Sequence, residues 1–395
     1  MSNTPPSANP LRWSTDTNFA AGAYPWSSGP TKVAPSLGIS AGGCVPGQQL
    51  PAQHFNYLQS NHGDWLTYLR DAHFAKQATN WPERASFANT STVNSNLPLA
   101  WDPTQGVNGN TGIYMCVTQD TKSVTSDDGT LWGNAVSFGG VLGAAAFDLA
   151  AGLSGASGGV RSFLASQSGA GNLMRTIDAG TTWTLVASGL PASSVLCNGP
   201  GSVWVACGTF GAIQRSTDGI TWSNAGVTVT GGWGIGPKRI VWNGSLFVML
   251  AGSALDKVLT SPDGLTWTAR TLPTTQTWTG LAYSASEALW MAVSDGGAVV
   301  TSLDGLTWTL AVSVAAATAK DLAVIDSTWV APTRNGDYGG IAYSIDRGAS
   351  WRNASVGNQR VATSGWNRII AADRRFLVAH ASGTALEFAL SQRAN

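Results

Sequence analysis

Six aspartates recur in one setting: a serine or threonine two residues before, a glycine one or two residues after, and a closing tryptophan. They are Asp128 (with Ser126, Gly129 and Trp132), Asp178 (Gly180, Trp183), Asp218 (Gly219, Trp222), Asp263 (Gly264, Trp267), Asp304 (Gly305, Trp308) and Asp346 (Gly348, Trp351). Three chemistries are open to a carboxylate so placed. It could ligate Ca²⁺, but that ion takes roughly six to eight oxygens, and each segment brings one carboxylate in a tight turn. It could serve glycoside hydrolysis, which uses two facing carboxyl groups. No such pair can be picked out, and glutamate occurs only at 83, 287 and 387. Or it accepts hydrogen bonds from its own turn beside the Ser/Thr hydroxyl, while glycine supplies the φ > 0 that the turn needs. The third reading makes the segments structural.

The other reactive residues are scattered. His54, His62, His73 and His380 form no HExxH or other ligand set, and Cys44, Cys116, Cys197 and Cys207 contain no CxxC. The histidines read as structural or surface groups, and the cysteines as small buried hydrophobes of a chain folded in a reducing compartment. Gly139-Gly140 and Gly158-Gly159 lack the GK[ST] of a phosphate loop. No metal, cofactor or catalytic residue is expected.

Elements that position six such turns must themselves repeat. The closing tryptophans lie 51, 39, 45, 41 and 43 residues apart, near the roughly 40–45 residues of a four-stranded propeller blade. Upstream of each, an aromatic opens a short apolar strand: Tyr114, Phe163, Trp204, Phe247, Trp290 and Trp329. A seventh copy begins at Phe376, too close to Asn395 to complete its own segment. A blade without its outer strand leaves an open edge. The run Asn80-Trp81-Pro82-Glu83-Arg84 is similar to the strands that come after the other turns, for example Thr266-Trp267-Thr268-Ala269-Arg270. Residues 79–89 are therefore expected to complete the last blade. The predicted fold is all-β: a seven-bladed β-propeller of four-stranded blades over 79–395, closed by an N-terminal strand.

The six segments resemble Asp-boxes, the S/T-x-D-x-G-x-T-W (BNR) repeats of sialidase-like propellers. Segments 176–183 and 344–351 have the full spacing; the other four lack the residue between Asp and Gly and should turn more tightly. Sialidases of this type use an arginine triad, a Tyr nucleophile and an F/Y-R-I-P motif. That motif is absent, which weighs against hydrolysis.

One constellation could carry binding. Aligning the first strands of the blades on Ile240, Leu281, Leu322 and Ile369 places Trp278 and Trp366 three residues upstream, with Trp233 in a longer glycine-rich version of the loop. Lys238, Arg239, Lys320 and Arg368 flank these positions. Such loops gather on one propeller face, where flat rings beside hydrogen-bonding groups would suit a sugar. The alternative is that these tryptophans fill gaps between blades.

Residues 1–50 hold seven of the 17 prolines, with scattered aromatics such as Trp13 and Trp26. They read as an extended docking arm. Residues 51–78 read as a helix and linker, with Phe55, Leu58, Trp65 and Leu69 on one stripe. The run from Gly47 to Leu58, with Trp65-Leu-Thr-Tyr-Leu69, resembles the N-terminal regions of bacteriophage tail-fibre and baseplate-associated proteins. That resemblance implies docking on other tail, baseplate or fibre proteins through 1–78. It also implies a place in a virion or phage-tail-like particle after folding in the host bacterial cytoplasm.

Composition sets the outer limits. Charged residues are 11%, and Lys+Arg (22) equals Asp+Glu (22), against 47 glycines and 18 tryptophans. A nucleic-acid binder would carry a basic excess, and no apolar run is long enough to span a bilayer. The function expected is a non-enzymatic structural or adhesive tail component that presents its propeller to a host-surface glycan or to neighbouring proteins. The alternatives are a glycan-processing hydrolase and an Asp-box assembly factor.

Overall fold

The computed structural model describes residues 83–88 and, with short gaps at loops, residues 98–391. The chain divides into two units, 1–76 and 77–395. The expected arm and helix, with Trp13, Trp26, Phe55, Leu58, Trp65 and Leu69, lie outside the described residues, as do Trp81, Trp233 and Trp366.

Seven sheets succeed one another along the chain. Strand β1 is Glu83–Ala88. Blade 1 contains β2 (Leu99–Asp102), β3 (Ile113–Val117), β4 (Lys122–Ser126) and β5 (Val136–Ser137). Blade 2 contains β6 (Ala146–Ser154), β7 (Val160–Gln167), β8 (Leu173–Thr176) and β9 (Thr184–Ala187). Blade 3 has β10 (Val195–Asn198), β11 (Trp204–Cys207) and β12 (Ile213–Ser216). Then come β13 (Thr228–Thr230) and, in blade 4, β14 (Arg239–Trp242), β15 (Phe247–Leu250), β16 (Lys257–Ser261) and β17 (Thr266–Thr271). Blade 5 contains β18 (Trp278–Ser284), β19 (Leu289–Ser294), β20 (Val299–Ser302) and β21 (Thr309–Leu310). Blade 6 has β22 (Thr318–Ala319), β23 (Ala323–Ile325), β24 (Thr328–Asn335), β25 (Tyr338–Ser344) and β26 (Arg352–Asn353). Blade 7 has β27 (Arg368–Ala372), β28 (Arg375–Ser382) and β29 (Ala385–Leu390).

The ring closes as the sequence predicts. Strand β1 pairs antiparallel with β29 from Glu83↔Leu390 to Ala88↔Ala385, becoming the outer strand of blade 7. The innermost strands β2, β6, β10, β14, β18, β23 and β27 neighbour one another in a cycle that returns from β27 to β2.

Repetition in the sequence becomes repetition of register. Tyr114, Phe163, Trp204, Phe247, Trp290 and Trp329 each stand directly opposite the first Ser/Thr of their own turn: Ser126, Thr176, Ser216, Ser261, Ser302 and Ser344. In blade 7, the Phe376 amide donates to Ser391 Oγ (2.8 Å) and the Ser391 amide to the Phe376 carbonyl (2.9 Å). Ser391 thus occupies the place of a turn serine in the one blade that lacks the turn. All seven strand aromatics are fully buried. Within each of blades 1–6 the strand aromatic and the closing tryptophan sit in one apolar cluster with the preceding blade. Examples are Trp290 and Trp308 against Val248 and Leu250, and Tyr114 and Trp132 against Leu377 and Phe388. Trp132 stacks on Phe388 at 4.0 Å and 13°. Apolar area removed from water at about 25 cal/mol per Å² therefore holds blade to blade, not only strand to strand.

Blades 3, 4 and 6 depart from four strands each, blade 6 because β22 and β23 both pair with β24. Strand β13, which comes after the third turn and would be the outer strand of blade 3, instead pairs in parallel with β17 of blade 4 (Thr228↔Thr266, Val229↔Trp267, Thr230↔Thr268). Blade 3 keeps three strands and a single bridge, Arg215↔Ser223, while blade 4 has five.

Candidate functional site

Every aspartate of the turns accepts hydrogen bonds from its own turn, through Oδ1 in all six and through Oδ2 as well in the two long ones. In the four short turns the Ser hydroxyl donates to the Asp and receives the glycine amide, as in Ser302 Oγ to Asp304 Oδ1 (2.9 Å) and Gly305 N to Ser302 Oγ (2.8 Å). The same Asp oxygen then takes the amides two and three residues on, Leu306 and Thr307, both at 2.8 Å. In the two long turns an extra residue, Ala179 or Arg347, adopts positive φ (54° and 62°) before the glycine. The Asp then reaches four residues on, to the Thr182 or Ser350 amide at 2.8 Å. For Asp128, burial would raise the pKa, but the Leu131 and Thr130 amides and the Thr130 and Ser126 side chains outweigh it and hold the carboxyl at about 2. Asp178, Asp218, Asp263, Asp304 and Asp346 are lowered by the same kind of hydrogen bonds. These groups are ionised acceptors closing turns.

Of the four basic residues singled out in sequence, Arg239 and Arg368 converge on the axis, while Lys238 is exposed. Arg239 opens the innermost strand of blade 4 and Arg368 that of blade 7. Two buried aspartates meet them, and irregularities in two inner strands, which re-aim side chains, set both. In β6 the register shifts between Ala146 and Asp148. In blade 6 the innermost strand breaks between β22 and β23, with Asp321 in the break. Gly280 of β18 makes room for that break: a Cβ there would lie 2.6 Å from the backbone of Asp321 and Leu322.

Arg239 grips Asp321 in a two-point pair, Nε to Oδ1 at 3.1 Å and Nη2 to Oδ2. Arg368 Nη2 donates to Asp148 Oδ1 at 2.7 Å, while its Nε, without a hydrogen bond, stands 3.9 Å from Asp321 Oδ2. The other lone pairs take backbone amides: Leu196 N to Asp148 Oδ2 (2.9 Å), and Ile369 N (3.1 Å) and Leu322 N (2.9 Å) to Asp321. Burial, with Arg239 nearby, lowers the Arg368 pKa, and Asp148 and Asp321 oppose the shift. The network is neutral and links blades 2, 3, 4, 6 and 7. Each arginine skips one blade, 4 to 6 and 7 to 2. Chemically it is a set of charge-assisted hydrogen bonds whose carboxylates are already engaged.

The rest of the expected ligand face comes apart. Trp278 is completely buried in the cluster between blades 4 and 5, with Trp290 and Trp308, and cannot stack on a sugar. It begins β18, and a bulge between Trp278 and Gly280 accompanies that placement. This is the gap-filling alternative. Lys320 Nζ bonds Asp295 Oδ1 at 2.6 Å at a more exposed position. Asp148 and Asp321 escape a reading of the sequence because neither has a recurring spacing. The available signals are an aspartate interrupting the apolar run Val141–Leu153 and another beside Lys320.

Nothing else among the described residues assembles reactive chemistry. Glu287, in the β18–β19 turn, receives the Trp329 indole N–H at 2.9 Å. Burial pushes the Cys116 and Cys197 thiols up to about 12 and raises Cys207 as well. No group of three or more His, Cys, Asp or Glu is placed to hold a metal ion among the described residues.

Comparison with known proteins bears on the fold. No protein-family model matches the chain, and no curated protein matches it. Solved structures do. The chain is similar to YCF48 bound to D1 peptide, with a TM-score of 0.58 and 16% identity over 80% of this chain and 99% of that one. It is also similar to YCF48 from Cyanidioschyzon merolae (TM-score 0.55, 16% identity, 77% and 98% covered). A third is Raptor from Chaetomium thermophilum (0.56, 11%), which covers 90% of this chain but of which this chain covers 33%. The likeness is one of architecture. This is a seven-bladed propeller.

Proposed function

We propose that the protein is a non-enzymatic structural or adhesive component of a phage or phage-like tail. Residues 1–78 dock on the particle, and the propeller is a stiff body presented to another protein. The observation that carries the non-enzymatic part is the axial network. The buried carboxylates Asp148 and Asp321 are each engaged by a guanidinium and by backbone amides, so neither is placed to exchange protons with a substrate. The tail assignment rests on the resemblance of the N-terminal segment. A protein partner is favoured over a glycan by the burial of Trp278 and by the likeness to a propeller bound to a peptide.

A second reading has its own support in that likeness: a propeller that holds a peptide of another protein inside the cell, without joining a particle. Location separates the two. Purified particles should contain the full chain, and a variant lacking residues 1–78 should stay soluble and be absent from them. Recovery of the full chain only outside particles selects the second reading. Turnover of surface polysaccharide by the purified protein contradicts both.

A further inference from the structure

Blades 4 and 5 carry the same outer strand in the same register, 41 residues apart. Thr260↔Thr268 and Leu259↔Ala269 in blade 4 correspond to Thr301↔Thr309 and Val300↔Leu310 in blade 5. In blade 4 the outward edge of that strand is covered by β13, whose Thr228 amide donates to the Leu265 carbonyl at 2.9 Å and whose Val229 packs on the cluster containing Trp267. In blade 5 no described strand covers it. The Ala311 amide points inward, to the Val299 carbonyl (2.9 Å), so by alternation the backbone groups of Trp308 and Leu310 point outward.

The side chains differ in the opposite sense from what exposure would favour. Where the covered strand and the turn before it have Pro262, Ala269 and Thr271, the uncovered strand, its turn and the residues after it have Leu303, Leu310 and Val312, which are 70%, 62% and 55% exposed. With Leu306 they are four of the eight large exposed hydrophobics among the described residues, within ten residues of chain. Exposed apolar edges are what proteins avoid unless something pairs with them.

We propose that the outer edge of blade 5, Leu306–Leu310, binds an extended apolar strand of a partner protein, added in parallel as β13 is added to blade 4. The strand would use the Leu306 carbonyl and the outward groups of Trp308 and Leu310, and set β-branched side chains against Leu310 and Val312. This is strand addition to a sheet edge. The precedent for the occupant is β13, a single strand added in parallel to the equivalent edge of blade 4; pairing with a second copy of the chain is the competing outcome of the test. The inference names a site for a protein partner and does not depend on the tail assignment.

The test uses the full chain and a labelled peptide with the protein's own covering sequence, residues 225–232. Saturable binding by fluorescence anisotropy is expected, with slower amide exchange at Leu310. Leu310→Asp should weaken it tenfold or more, and Leu185→Asp, at the equivalent edge of blade 2, should leave it unchanged. Three results would each overturn the proposal: no binding at millimolar peptide, equal binding by Leu310→Asp, or a doubled mass in solution that Leu310→Asp returns to that of one chain. None bears on whether the full chain is found in particles.

Discussion

At the axis of the ring, charged groups are withdrawn from water and matched one to one. At its rim, six partly or largely exposed carboxylates take their hydrogen bonds from their own turns. The difference arises from what each place must hold. Innermost strands of different blades carry side chains towards a common line, so an unpaired charge there would be desolvated with nothing to offset it. A rim turn is local, and its aspartate needs only the amides two to four residues away. The axis couples distant blades; the rim repeats one local solution six times and, at blade 5, leaves a strand edge that no described strand covers.

The most forceful way to break this contrast is at Asp321, which is 1% exposed and serves Arg239, Arg368 and the Ile369 amide. Asp321→Ala leaves buried guanidinium without its counter-charge, and a loss of about 3–5 kcal/mol is expected from urea unfolding. A loss under about 1 kcal/mol would mean that the axis is wetter than its geometry implies. Next comes Gly305, at φ 73°, where a Cβ would lie 2.9 Å from Leu246 of the preceding blade. Gly305→Ala is expected to cost roughly 1–3 kcal/mol by thermal unfolding.

Acid probes the rim collectively. Because the turn aspartates titrate lower in the folded ring than in the unfolded chain, the stability they lend is fully present above about pH 4. It fades as pH falls from the ordinary carboxylate value of 3.8 towards about 2, the value for Asp128. Acid unfolding monitored by tryptophan fluorescence should therefore steepen below about pH 4, and Asp→Asn at several turns should flatten it. The smallest effect belongs to Leu310→Asp, which touches no core and should shift stability by about 0.5 kcal/mol or less.

Much of this was legible in the sequence because it repeats. Seven strand aromatics, six turns and a closing strand within 79–89 each have counterparts at fixed spacing, and register derives from such patterns. What occurs once was not legible. Thr228-Val-Thr230 alternates like a strand, but alternation cannot say that it leaves blade 3 for blade 4. Trp278 sits where a loop would begin in an unbulged alignment, and one inserted residue carries the ring into the core. Asp148 and Asp321 acquire their meaning only when irregular strands on two distant blades bring them to the same arginines.

Site-resolved amide hydrogen exchange on the full chain tests the contrast between axis and rim most directly. The Leu196 and Ile369 amides, which donate to Asp148 and Asp321, should exchange only on global unfolding, while that of Leu310 should exchange at a nearly unprotected rate. Fast exchange at Leu196 and Ile369, or strong protection at Leu310 in the chain alone, would contradict a sealed centre with an open edge.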